Sequence, residues 1–188
     1  MTRLYLVRHP RPAVAPGVCY GALDVGTDPD DAAALLVRLR ALLPPGAALA
    51  SSPLRRCADL ARALHAAGWP APRLDARLAE MHFGAWEGRR WDDIPRAQLD
   101  AWAADLTGYR PPGGESVAEL AQRAAAALRE LADLHAQAPA LVVVTHAGVL
   151  RTAPRLLGGL SLEPLDGPRP GFGAVLTLRR EGDRFVPA

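Results

Sequence analysis

The 188-residue chain contains no lysine; all 22 of its basic residues are arginine. With so much Ala, Pro and Gly around them, this marks a compositional bias and not a demand for guanidinium at every position. Charge of one sign is also missing in bulk. A formal net charge of +2 is too small to point to a nucleic acid or a membrane surface as partner. Long apolar runs are absent. The longest, residues 138–144, is interrupted by Pro139 and is far shorter than a membrane span. The apolar stretch near the N-terminus is too short for a signal peptide. Cysteine is scarce. Cys19 and Cys57 lie far apart, which suits free thiols in a reducing cytoplasm. Neither C-x-x-C nor H-E-x-x-H occurs, so no metal and no cofactor is expected. There is no internal repeat and no low-complexity segment beyond the alanine bias.

What remains is an ordinary globular composition, 49% hydrophobic and 22% charged. A chain of this length forms one domain, residues 1–188, with a full core. "RLYLV" at 3–7 reads as a strand. Residues 10–29, rich in Pro, Gly and Asp, form a loop. A helix follows, with Asp28 as N-cap and Pro29 at its first position; Leu35, Leu36, Leu39, Leu42 and Leu43 share a face. "GAALASS" is a second strand and leads into a helix from about residue 53 to 67. "RLDARLAEM" gives a short strand and turn. Residues 82–114, with Trp86, Trp91 and Trp102, suggest short helices in a long, lid-like loop. Ser116 and Glu119 form a capping box ahead of a long helix. "ALVVVTH" is a buried strand, "AGVLRTAPRLLG" a helix, and the C-terminus a hairpin. Alternating strands and helices predict a three-layer α/β/α sandwich on a mostly parallel sheet.

In such sheets ligands bind beyond the carboxyl ends of the strands. Three strands end in polar groups. The first delivers Arg8 and His9. The second leads to Arg55 and Arg56 on the first turns of a helix. The third delivers Thr145 and His146. Guanidinium groups bind phosphate oxygens in pairs, and helix N-termini favour anions, so the natural guest is a phosphate monoester. Neighbouring arginines disfavour a cationic His9, and a neutral imidazole is a competent nucleophile towards phosphorus. A carboxyl beside a bound dianion is favoured in its protonated form and can protonate the leaving alkoxide. Glu80 and Glu87 both offer one.

Five segments, "LVRHP", "SSPLRRCADLA", "LAEMHFGAWEG", "PPGGES" and "VVVTHAGVLR", resemble in order the signature segments of the histidine phosphatase (phosphoglycerate mutase-like) superfamily. The similarity covers roughly residues 3 to 155. It implies that His9 is the residue phosphorylated and Arg8 its phosphate-binding neighbour. Arg56 closes the S-x-L-x-R pattern that begins at Ser52, leaving Arg55 at a variable position. Glu80 becomes the proton donor, and His146 contacts the transferring group, with the backbone N–H of Ala147 as a further donor. Glu87 is then structural, as a cap or as a partner of Arg89 or Arg90, which otherwise form a solvated face. Tyr20 sits near the predicted mouth. Glu115 is either a helix-start charge or a substrate contact. His82 lines the pocket or packs in a loop; Trp86, Trp91 and Trp102 pack a small lid or stack on a base or sugar. His65 and His135 are surface groups, and Cys57 is a small core residue.

The sequence departs from the family pattern at Pro10, where Gly is usual, and Pro has no N–H to give a phosphate. "CYGALDVG" is similar to the loop of α-ribazole phosphatase-like members. The resemblance thus implies a cytoplasmic, metal-independent phosphomonoesterase acting on a small phosphorylated metabolite. α-Ribazole 5′-phosphate and cobalamin biosynthesis are candidate substrate and pathway, and a homodimer is expected. Phosphoglycerate mutase-type transfer is the enzymatic rival, and a non-catalytic phosphate-binding module is the rival of another class.

Overall fold

The computed structural model describes residues 3–165 and 168–188. Strands β1 (Arg3–Arg8), β2 (Ala48–Ser51), β3 (Arg73–Leu74), β4 (Ala140–Thr145), β5 (Val175–Glu181) and β6 (Arg184–Pro187) form one sheet in the order β3-β2-β4-β1-β5-β6. The first four are parallel; β5 runs antiparallel to β1 and pairs with β6 as a hairpin. Helices α1 (Pro29–Leu42), α2 (Arg55–Ala66), α3 (Arg96–Ala104), α4 (Val117–Leu134) and α5 (Ala147–Leu157) complete the fold.

The strand period of two sorts side chains into layers. Leu4, Leu6, Leu141 and Val143 face α4 and α5, while Tyr5, Val7, Val142 and Val144 face α1 and α2. Both faces are covered, so β4 is buried along its whole length and can be apolar without alternation. This is the three-layer α/β sandwich expected from the sequence. Local signals match too. Asp28 accepts the N–H groups of Asp30 and Asp31 at 2.9 and 3.1 Å, and the Ser116–Glu119 capping box closes in both directions.

Residues 82–114 hold two 3-10 turns, Gly84–Trp86 and Trp91–Asp93, before α3. Trp86 is fully buried in a satellite core with Cys19 and Ile94, against Phe83, Trp91, Trp102 and Tyr109. Two local expectations need correction. His135 is no plain surface group: it caps α4, and its Nε2 is buried. Arg89 and Arg90 are exposed, as expected, and donate to the carbonyls of Asp93 and Pro16. Glu87 pairs with neither; it accepts the N–H groups of Ala22 and Phe83, both at 2.8 Å, joining the 10–29 loop to the satellite core.

Candidate active site

Parallel pairing brings the strand ends together. Arg8 is in register with Thr145, and the His9 N–H donates to Thr145 O at 3.0 Å. The next residues, His9 and His146, therefore stand side by side with ring centroids 5.2 Å apart. β2 ends on the far side of β4, where Ser52 N–H donates to Val144 O and α2 begins. Arg56, on its first turn, is wholly buried. Its guanidinium is held by the carbonyls of Leu23 at 2.7 Å and Gly21 at 2.5 Å and lies 5.1 Å from the Tyr20 ring.

His9 Nδ1 lies 2.6 Å from Pro10 O. A carbonyl only accepts, so Nδ1 carries the proton and Nε2 keeps its lone pair. Pro10 lacks an N–H, but its carbonyl sets this tautomer. Burial, then the charge of Arg56, with Arg8 adding, pulls His9 down to about 3 from 6.5, against the opposing Pro10 bond. Burial, Arg56 and His9 likewise hold His146 well below its ordinary value. Two neutral imidazoles thus share a pocket with two guanidiniums. The Nε atoms of Arg8 and Arg56 are buried and have no partner among the described residues. Unpaired donors at such depth call for an acceptor-rich guest, and tetrahedral phosphate supplies one.

Glu80 approaches from the loop after β3. Both its oxygens lie 3.2 Å from Gly148 N, on the first turn of α5. A Cβ at Gly148 would overlap Glu80 Oε1, so glycine is what lets the carboxylate sit there. Ala147 opens α5 beside it, and its N–H faces no intrahelical partner. Tyr20 lies at the rim, 6.5 Å from His9 between ring centroids; burial raises its phenol above the ordinary value. Glu115, in contrast, is committed elsewhere. It accepts Arg123 at 2.6 and 3.0 Å and the His82 N–H at 2.9 Å, so it is not free to be the substrate contact considered from the sequence. The His82 side chain is exposed.

Several site residues escaped the sequence reading. Ser52 Oγ is hydrogen-bonded to His146 Nε2 at 2.8 Å; it was legible as a member of S-x-L-x-R but without a role. Cys57, though a small core residue as expected, also touches the His146 ring, 3.4 Å from Nε2. Arg123 on α4 donates to the carbonyls of Arg77, Ala79 and Glu80 at 2.8, 2.8 and 3.1 Å, fixing the loop that carries the acid. The segment before β5 folds over the end of β1. Pro170 O accepts Arg8, and the Phe172 ring lies 4.0 Å from the Arg8 guanidinium carbon. Nothing periodic in that segment announced it.

The profile of the histidine phosphatase superfamily (branch 1) matches residues 4–187. The chain belongs to that superfamily. It is a metal-independent phosphatase of the family, built as the five ordered segments implied. A Hydrogenobacter thermophilus protein named as a phosphoserine phosphatase is 29% identical over 189 residues, 98% of this chain and 92% of that one. A mycobacterial glucosyl-3-phosphoglycerate phosphatase in complex with VO3 superposes with a TM-score of 0.86 at 27% identity, covering all of this chain and 98% of the other. The α-ribazole phosphatase of Shigella flexneri gives 0.85 at 24% identity, covering all of this chain and 95% of the other; at that identity the likeness is one of fold. Among the described residues no cluster of three or more His, Cys, Asp or Glu is placed to hold a metal ion, and no helix is long and apolar enough to cross a membrane.

Proposed function

We propose that the chain hydrolyses a small phosphomonoester through a phosphohistidine on His9. The observation that carries this is the His9 ring itself: buried, neutral, its Nδ1 proton tied to Pro10 O, and its Nε2 lone pair unused. Nε2 attacks phosphorus as the P–O bond to the leaving group breaks, and the departing alkoxide takes a proton from the Glu80 carboxyl. Arg8, Arg56, His146 and the Ala147 N–H hold the phosphoryl oxygens, so the step needs little beyond positioning and charge neutralisation. The Glu80 carboxylate then takes a proton from water, whose oxygen attacks phosphorus. The P–N bond breaks, phosphate leaves, and His9 is neutral again. Tyr20 at the rim contacts the leaving group.

The leaving group is one of those that the relatives' names suggest: serine, a glucosylglycerate or α-ribazole. The α-ribazole reading is supported by neighbours that share the fold and by the 19–26 loop. The test is hydrolysis of p-nitrophenyl phosphate together with trapping of an acid-labile, alkali-stable phosphoenzyme, both lost in His9→Ala. A His9→Ala enzyme that still turns over ends the proposal. Conversion of 3-phosphoglycerate to its isomer without phosphate release would replace hydrolysis by a mutase reaction.

A further inference from the structure

Ser52 is wholly buried just past the end of β2, and its contacts fix the direction of its hydroxyl. Its backbone N–H donates to Val144 O at 3.0 Å. Its Oγ receives the Leu54 N–H at 3.3 Å and lies 2.8 Å from His146 Nε2. Among the described residues no carbonyl or carboxylate accepts from this hydroxyl. A hydroxyl that has taken one N–H still has its own proton to give, and the imidazole nitrogen is the acceptor at hand.

The second neighbour of Nε2 leads the same way. Cys57 Sγ lies 3.4 Å from Nε2 and 3.4 Å from Thr145 O. Burial pushes the Cys57 thiol up, so it keeps its proton, and sulfur is a weak acceptor. Nε2 thus faces two groups that bear protons and no strong acceptor. Burial and Arg56 keep the His146 ring neutral. A neutral ring donates only from the nitrogen that holds its single proton, and the hydrogen bond at one nitrogen decides which that is. Nδ1 has no oxygen partner among the described residues; its polar contact is Cys57 Sγ, at 3.8 Å. It is the nitrogen left for a phosphoryl oxygen. The opposite tautomer would leave the Ser52 proton without an oxygen or nitrogen acceptor. It would also turn a bare Nδ1 lone pair on phosphoryl oxygens, which only accept.

We propose that Ser52 is a positioning residue: its hydroxyl donates to His146 Nε2, which places the ring proton on Nδ1 and makes His146 a hydrogen-bond donor to the transferring phosphoryl group. This rests on the phosphatase reading and deepens it. The two histidines of the site then share one tautomer for opposite uses. The Pro10 carbonyl holds the proton on Nδ1 of His9 so that Nε2 attacks. Ser52 holds it on Nδ1 of His146 so that Nδ1 donates.

The test starts with the tautomer. Ring ¹H–¹⁵N correlation spectra of the ¹⁵N-labelled protein at pH 7.5 show which nitrogen of each imidazole carries the proton. The chain has five histidines, and the signals lost in His146→Asn are those of His146. The wild type should show Nδ1–H there. Ser52→Ala should divide the ring between tautomers and lower kcat about tenfold, the worth of one charge-assisted hydrogen bond. The fall should be alike for p-nitrophenyl phosphate and alkyl phosphates, because both present the same phosphoryl group; a fall confined to alkyl phosphates would route Ser52 through Glu80 and overturn the inference. Asparagine puts an amide N–H where Nδ1 stood, and glutamine puts one where Nε2 stood. His146→Asn should therefore keep about tenfold more kcat than His146→Gln. That pair and the wild-type spectrum carry the test if Ser52→Ala does not fold. Nε2–H in the wild type, a kcat or ring spectrum unmoved in Ser52→Ala, or glutamine as the better replacement overturns the inference, while a phosphoenzyme trapped in the wild type keeps the phosphatase reading. A wild type that neither hydrolyses p-nitrophenyl phosphate nor traps a phosphoenzyme removes both.

Discussion

One hydrogen bond decides which nitrogen of His9 reacts. Because Nδ1 gives its proton to Pro10 O, Nε2 is the free base, and burial keeps it unprotonated far below neutral pH. The acid is placed with equal economy, by a glycine. Gly148→Ala would push its Cβ into Glu80 Oε1; the expected result is a fall of about tenfold or more in kcat on alkyl phosphates, the order reached when a general acid is misplaced. Glu80→Gln should cost alkyl phosphates about a hundredfold and p-nitrophenyl phosphate far less, since nitrophenolate needs no proton to leave. Equal losses on the two substrates would take Glu80 out of the acid role. At this scale the sequence was informative where chemistry is rare. An Arg-His pair, a second His and an SxLxR run have few structural reasons to coexist. It was silent where chemistry is backbone-like: the Pro10 carbonyl and the missing Cβ of Gly148 carry no side-chain signal. Glu115 illustrates the opposite hazard, a charged residue near the right motif whose carboxylate belongs to Arg123.

Elements place these residues, and two placements are long-range. Arg123 reaches from α4 to three carbonyls of the Glu80 loop, those of Arg77, Ala79 and Glu80, and pairs with Glu115. It touches no reacting atom and is a positioning residue. Arg123→Ala should therefore copy the selectivity of Glu80→Gln in milder form: a larger drop in kcat on alkyl phosphates than on p-nitrophenyl phosphate, with KM little changed. A merely structural loss would lower both substrates alike. The segment closing over β1 makes a complementary prediction. Phe172 stacks on Arg8, and a cation–π contact of this partly exposed kind is worth about 1 kcal/mol. Phe172→Ala should raise KM for phosphate esters about fivefold, and steady-state kinetics on p-nitrophenyl phosphate would show it. Helices and strands could be read because periodicity, Asp28, Ser116 and the Pro residues mark them. The segment before β5 could not, because it has no period; its role follows from where antiparallel β5 has to start, beside β1.

At the scale of the whole molecule, the fold binds its own active site against its stability. The sheet brings His9 and His146 into a pocket where both are buried at about 1% exposure or less, and both are held below their ordinary pKa, His9 at about 3. Unfolding restores the ordinary value of 6.5. Between those limits the unfolded chain binds more protons than the native one, so stability falls as pH drops through 6.5 towards 3 and is fully present above 6.5. Each histidine contributes a slope of at most about 1.4 kcal/mol per pH unit in that window. Asp75 tilts the curve the same way lower down, since its bonds to Arg77 hold its carboxyl below the usual range and are lost on protonation. Thermal melts from pH 7.5 to 4.5 should therefore show Tm decreasing steadily on the acid side. His9→Gln, which cannot take up a proton, should flatten that decrease by roughly the share of one histidine. Inorganic phosphate should raise Tm at pH 7.5 in the wild type, because a ligand of the native state alone stabilises it by mass action. Parallel pH profiles for wild type and His9→Gln would mean that the ring is solvated in solution, and with it would go the buried neutral nucleophile on which the phosphohistidine step depends.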